Sequence, residues 1–280
     1  YKTDALTSVE LSDGTTVNMD TAITVGVKLA DGATATVSAD EATTISSISG
    51  TGTKLIVTGD DIVTLASAST MTTAVEIGGT ATVKLGNAAA LGNTSGVTVH
   101  TGATLDVNGA KDQATCIAVT LDGGTLANTG TAGVAMSQSG QGIGRLEVLA
   151  PSFIRSNNHD FGFTNFRNGA TYCEMNGQTL TIDVGTGIFL FYKLTVTGGG
   201  KIVIDRASRV DLAINPGLQA PTTVFETTAD LIPWDKLDHQ VWGVIERRTE
   251  STFNAQVDSH LTILGRYTPV TDFMNNFRLA

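Results

Sequence analysis

Gly78-Gly79-Thr80-Ala81-Thr82-Val83-Lys84-Leu85-Gly86-Asn87 and Val97-Thr98-Val99-His100-Thr101-Gly102-Ala103-Thr104-Leu105-Asp106-Val107-Asn108-Gly109 hold short alternating runs punctuated by glycine and closed by Gly-Asn or Asn-Gly. Between them lies the small-residue link Ala88-Ala89-Ala90-Leu91-Gly92-Asn93. In Thr82-Val83-Lys84-Leu85 and Thr104-Leu105-Asp106-Val107 every second residue is apolar, which is the period of a half-buried strand. That register turns Val83, Leu85, Leu105 and Val107 inward and leaves Thr82, Lys84, Thr104 and Asp106 facing water.

Variants of the unit recur on either side. Gly79, Gly102 and Gly124 open successive copies at nearly equal spacing. The closing turn Asp106-Val107-Asn108-Gly109 is echoed downstream by Glu174-Met175-Asn176-Gly177, at a separation that reads as three periods. Upstream, Asp13-Gly14 and Asp31-Gly32 mark two further turns. Downstream, Thr179–Val184, Leu194–Val196 and Ile202–Ile204 continue the short apolar runs.

A repeat of roughly 20 to 25 residues built of short strands is too short for a propeller blade and matches one rung of a parallel β-helix. The expected fold is therefore all-β: a right-handed parallel β-helix over residues 1–205, clearest over 78–205. The hand is the usual one for such coils. Residues 206–280 differ, holding four of the five prolines and both tryptophans. They read as a C-terminal cap or small β module that seals the open end of the coil.

Composition agrees. Of 280 residues 31 are Gly, against a usual share of about 7%, while aromatics make up 6% and charged residues 16%. The net charge of −10 argues against a nucleic-acid partner, since phosphate contacts need clustered Lys and Arg. No run reaches the ~18 apolar residues of a membrane helix, so no direct membrane insertion is expected. Cys116 and Cys173 are too few for a disulfide scaffold and sit in alternating apolar runs, as small buried side chains would.

The runs Gly78–Val83, Asn87–Gly92, Val97–Gly109 and Leu121-Asp122-Gly123-Gly124-Thr125-Leu126 resemble the autotransporter-associated β-strand repeats of large secreted bacterial passenger proteins. The likeness covers roughly residues 78 to 205. It implies export, display at the bacterial cell surface or outside the cell, and a role as stalk, fibre segment or adhesin. It carries over no catalytic residue. Two features depart from the family: no C-terminal membrane barrel is recognisable, and the repeat fades after residue 205.

Chemistry-bearing patterns are sparse. Asp60-Asp61 is the one pair of adjacent aspartates and follows Gly59, as a solvated turn would. His100, His159, His239 and His260 show no metal-ligand spacing. No cofactor, metal or catalytic residue is assigned. The densest candidate is Ser152–Arg167, where Phe153, Arg155, His159, Phe161, Phe163, Phe166 and Arg167 supply the aromatic faces and polar groups of a carbohydrate or partner site. The competing reading stacks these Phe rings inside the coil. Trp234 and Trp242 form a second candidate.

The expected function is a non-catalytic structural or adhesive β-helix. Its partners are other copies, through fibres or arrays, or a glycan or host-surface receptor. A β-helical polysaccharide lyase or glycoside hydrolase is the alternative, to be recognised by carboxylates lined up across successive rungs. A phage or viral fibre segment is a weaker one.

Overall fold

The computed structural model describes residues 7–110, 116–136, 142–164, 171–198, 200–206, 209–214, 223–227 and 261–264. These residues form strands and the turns between them, and no helix is found among them. In chain order the strands are β1 (Ser8–Leu11), β2 (Thr16–Met19), β3 (Thr24–Leu29), β4 (Thr34–Ala39), β5 (Thr43–Gly50), β6 (Lys54–Gly59), β7 (Ile62–Leu65) and β8 (Ala74–Ile77). Next come β9 (Thr82–Leu85), β10 (Val97–His100), β11 (Thr104–Asp106), β12 (Cys116–Asp122), β13 (Thr125–Asn128), β14 (Val134–Met136), β15 (Gly142–Ala150) and β16 (Ser152–Ser156). The last eight are β17 (Phe161–Thr164), β18 (Thr171–Glu174), β19 (Thr179–Asp183), β20 (Ile188–Thr197), β21 (Gly200–Arg206), β22 (Arg209–Ile214), β23 (Thr223–Thr227) and β24 (Leu261–Leu264).

Alternate strands belong to opposite walls. The first sheet runs β1-β3-β5-β7-β9-β11-β13-β16-β19-β21-β23-β24, and the second contains β2-β4-β6-β8-β10-β12-β15-β18-β20. The paired strands within each wall are parallel. A chain that alternates between two parallel walls winds as a coil, so the molecule is a parallel β-helix, or β-solenoid. Strands β22 and β23, beyond residue 205, extend the two walls by pairing with β20 and β21. Residues 228–260, with Trp234 and Trp242, and residues 265–280 lie outside the described residues.

Register explains the core. In the first wall Val63, Val83, Leu105, Leu126, Ile154 and Ile182 stack in one column. In the second, Ala35, Leu55, Val75, Val97, Val119, Leu146 and Cys173 do the same. All are buried and belong to one hydrophobic cluster running from Leu11 to Ile202. Each rung could not bury its apolar side alone, and stacking supplies the missing cover. Cys173 sits in this column as a small apolar filler, its Sγ 3.6 Å from Met175 Sδ, and burial pushes its thiol up to about 12. The side chain of Cys116 lies outside the described residues.

Rung size is not constant. The step along the chain from one rung to the next is the same at Thr34↔Lys54, Lys54↔Ala74 and Ile62↔Thr82, and slightly longer at Val97↔Val119. It is longer still at Thr125↔Phe153 and Phe153↔Thr181, then shortens again at Thr179↔Lys201. The longer rungs contain a third strand, β14 or β17, which stacks toward the first half of β20. Val134, Phe161, Phe163 and Phe189 are buried there, and the Phe161 and Phe163 rings meet edge to face at 5.7 Å. Three phenylalanines fill the wider bore that the extra strand opens.

Two details of the repeat are corrected. Thr104 pairs with Thr125, so the residue that stands before Thr125 as Gly102 stands before Thr104 is Gly123 and not Gly124. Gly102 and Gly123 both have positive φ, of 87° and 83°. Nor are Asn108-Gly109 and Asn176-Gly177 three rungs apart. The first turn follows β11 of the first wall, and the second follows β18 of the second wall. Asn108 and Asn176 share a left-handed backbone, with φ of 47° and 49°, because an Asn-Gly pair suits a tight corner wherever one occurs.

The corners are tied from rung to rung by hydroxyls. Thr53 Oγ1 donates to Gly32 O (3.0 Å), Thr73 Oγ1 to Gly52 O (2.8 Å) and Thr94 Oγ1 to Thr73 O (2.5 Å). Thr73 and Thr94 are buried, so part of the threonine content serves the interior and not the outer walls.

Candidate functional site

The outer surface of the first wall is a grid. One outward column runs Ile62, Thr82, Thr104, Thr125, Phe153, Thr181, Val203. The next outward column along the same strands contains Ala127, Arg155, Asp183 and Arg206. Phe153 stands between Thr125 and Thr181 in this column. It is half-buried, and the Arg155 guanidinium lies over its ring, 4.6 Å from the centroid. Cation–π attraction holds the guanidinium against the ring.

One rung on, Asp183 pairs with Arg206 at 2.5 Å and accepts from Gly185 N at 3.1 Å. Partial burial pushes the Asp183 carboxyl up. The hydrogen bond from Arg206, that from Gly185 N–H and the charges of Arg206 and Arg155 outweigh it and hold the carboxyl below its ordinary value. Asp183 in turn raises the Arg206 guanidinium. Among the described residues no carboxylate lies within ion-pair distance of Arg155, although Asp183 is near enough to sense its charge.

Of the residues singled out in sequence, the structure brings Phe153 and Arg155 together on this face. His159 is partly exposed in the turn after β16, outside the two columns. Phe161 and Phe163 turn inward and belong to the core, as the stacking reading expects for them. Phe166, Arg167, Trp234 and Trp242 lie outside the described residues. Sequence reasoning missed Thr125, Thr181, Asp183 and Arg206. Each lies a full rung from its neighbour in the grid, and only cross-rung register reveals them. The lengthening of the rungs on either side of Phe153 concealed that register.

A second charged region lies on the opposite wall. Thr120, Glu147 and Glu174 share one outward column. Arg145 reaches Glu174 at 2.8 Å and Glu147 at 3.8 Å, while His100 Nδ1 meets Asp122 Oδ2 at 3.1 Å. Asp122, Glu147 and Glu174 thus occupy the successive rungs β12, β15 and β18, each engaged by a basic side chain. Asp61, from the aspartate pair, accepts a hydrogen bond from Ile62 N at 2.6 Å, within the turn that links β6 and β7. Among the described residues no group of three or more His, Cys, Asp or Glu is placed to hold a metal ion, and no helix is long and apolar enough to cross a membrane.

Comparison with protein-family models, with curated proteins and with solved structures finds no match for this chain.

Proposed function

We propose that this chain is part of a secreted bacterial β-solenoid that serves at the cell surface or outside the cell as a stiff stalk, fibre segment or adhesive passenger, without catalytic activity. The observation that carries the reading is how the outer charges are used. Lys28–Glu10 (3.0 Å), Lys54–Glu76 (2.5 Å), His100–Asp122 (3.1 Å), Arg145–Glu174 (2.8 Å) and Arg206–Asp183 (2.5 Å) each join one rung to the next. Carboxylates tied in this way brace the side of a rod and are not left open for proton transfer. The likeness of residues 78–205 to autotransporter-associated β-strand repeats supports the same setting. Partners on this reading are further copies of the chain or a surface glycan or receptor.

Electron microscopy of the purified chain over a concentration series tests the proposal. Rods, single or assembled end to end or side by side, are expected. Cleavage of a polysaccharide panel overturns it. Asp122, Glu147 and Glu174 on successive rungs give the polysaccharide-cleaving reading its one specific observation. If cleavage is found, Glu147→Gln and Glu174→Gln show whether these carboxylates perform it.

A further inference from the structure

We propose that the outer face of the first wall around Phe153, Arg155 and the Asp183–Arg206 pair binds an acidic glycan lying along the axis of the coil. This rests on the surface-rod reading and names the class of ligand that such a rod takes.

The starting point is the break in the column. Thr125 and Thr181, directly above and below, show what this position takes when only a strand's outer surface is required. Phe153 puts an aromatic ring there, partly open to water, where a β-branched polar residue would be cheaper to solvate. Arg155 lies over one face of the ring; the opposite face suits the C–H face of a sugar ring, and the flanking hydroxyls of Thr125 and Thr181 suit its rim.

The second feature fixes the charge of the ligand. Arg155 is exposed, stacked on Phe153, and not ion-paired among the described residues. Its planar fork matches a carboxylate or sulfate through two parallel hydrogen bonds. In a chain of net charge −10 the column adjacent to Phe153 still offers a cation: Arg206 is offset by Asp183 and neighboured by Asp205, which leaves Arg155 as the charge that meets a ligand. Asp183, bound to Arg206, orients that side chain and leaves an acceptor surface for sugar hydroxyls.

The third feature is direction. Neighbouring rungs are separated by about 4.8 Å, close to the advance of one sugar residue in an extended glycan. Thr125, Phe153 and Thr181 form one file along the axis, with Arg155, Asp183 and Arg206 beside it. A glycan laid across the strands, parallel to the axis, therefore meets one grid position per sugar.

The test is retention of the full-length chain on immobilised oligogalacturonate and hyaluronan (carboxylates), on heparin (sulfates) and on dextran (neutral). Phe153→Thr copies the residue of the neighbouring rungs, so it keeps the wall intact. Arg155→Gln removes the charge, and Arg155→Lys keeps charge but loses the fork. Lys28→Gln, on the same wall but remote, is the control. Binding to a carboxylate glycan is expected, weakened roughly 10- to 100-fold by Phe153→Thr and by Arg155→Gln. Arg155→Lys should fall between and Lys28→Gln should match the wild type, with unchanged circular dichroism throughout. Binding to heparin but not to oligogalacturonate or hyaluronan, with the same mutational pattern, supports the site and assigns the oxyanion to sulfate. Equal binding by wild type, Phe153→Thr and Arg155→Gln, retention on dextran alone, or retention on none overturns the inference. In those cases intact rods in the microscope leave the surface-rod reading standing, whereas cleavage of any glycan overturns that reading itself.

Discussion

At the scale of single residues, the polar groups that the coil encloses are as telling as its apolar columns. Asp106 is buried, yet it accepts from Asn108 N (2.9 Å), Thr129 N (2.9 Å) and Thr129 Oγ1 (2.5 Å), joining its own rung to the next. On the sequence pattern it is an outward residue; instead it folds back to satisfy a corner. Asp106→Ala strips two backbone donors of their acceptor, and buried unsatisfied groups cost about 1–3 kcal/mol each. We expect a loss of about 2–4 kcal/mol, seen as faster hydrogen exchange at Asn108 and Thr129. Asp183 allows a test by pH. Its carboxyl is held below the ordinary value in the folded chain, so its contribution is present above the unfolded value of about 3.9 and is lost as pH falls through the lower folded value. The thermal midpoint of Asp183→Asn should therefore lie slightly below that of the wild type near neutrality, a small difference because solvent screens the Arg206 partner. The gap should close as the solution is acidified below about pH 4. A gap that widens in acid would refute the assignment.

At the scale of strands and turns, glycines fall into two kinds that sequence alone does not separate. Gly59 has φ of 106°, and a Cβ placed there would meet Ala39 O of the preceding rung at 2.1 Å. Gly14 has φ of 70°, but a Cβ there has nothing within 4 Å. Gly59→Ala should cost more than about 3 kcal/mol, because backbone strain adds to a backbone clash. Gly14→Asn should cost only a few tenths of a kcal/mol, since Asn tolerates the left-handed region. Chemical unfolding of both variants checks the pair, and similar losses would refute it. The same scale shows what was legible beforehand. Alternation in Thr82–Leu85 and Thr104–Val107 revealed the strands and their inward faces, and the Asp13-Gly14 and Asp31-Gly32 turns do stack one rung apart, following Leu11↔Leu29. The phase was lost beyond residue 130, since inserting β14 and β17 lengthens the rung without weakening the local alternation. Hence the turn at Asn176-Gly177 looked like a copy of Asn108-Gly109 although it sits on the other wall. Of the candidate face, only Phe153 and Arg155 could be read in advance, because their grid partners come from other rungs.

At the scale of the whole molecule, each rung touches only its neighbours, so cohesion is local and accumulates along the axis. Among the described residues β1 and β2 each pair on one side only, and their outward residues are exposed. β16 and β19 pair on both sides, over the widened bore lined by Phe161, Phe163 and Phe189. Opening should therefore start at the thin end. Amides of β3 and β4 should exchange at least tenfold faster than those of β16 and β19, where the free energy of local opening is higher. Uniform exchange along the coil would contradict this and mark a single cooperative block.

The unchanging step from Thr34 to Lys54 and from Lys54 to Ala74 has a consequence for length. A segment such as 34–53 is a closed unit of winding, so copying it in tandem restores every facing pair. Each copy lengthens the rod by about 4.8 Å. The three-strand rungs have no such freedom: Phe161 and Phe163 are cut to the bore around Phe189, and a two-strand copy set between them would have no seat for those rings. The narrow half of the chain is thus a measure that gene duplication can extend, and the wide half is the fixed stop against which it counts.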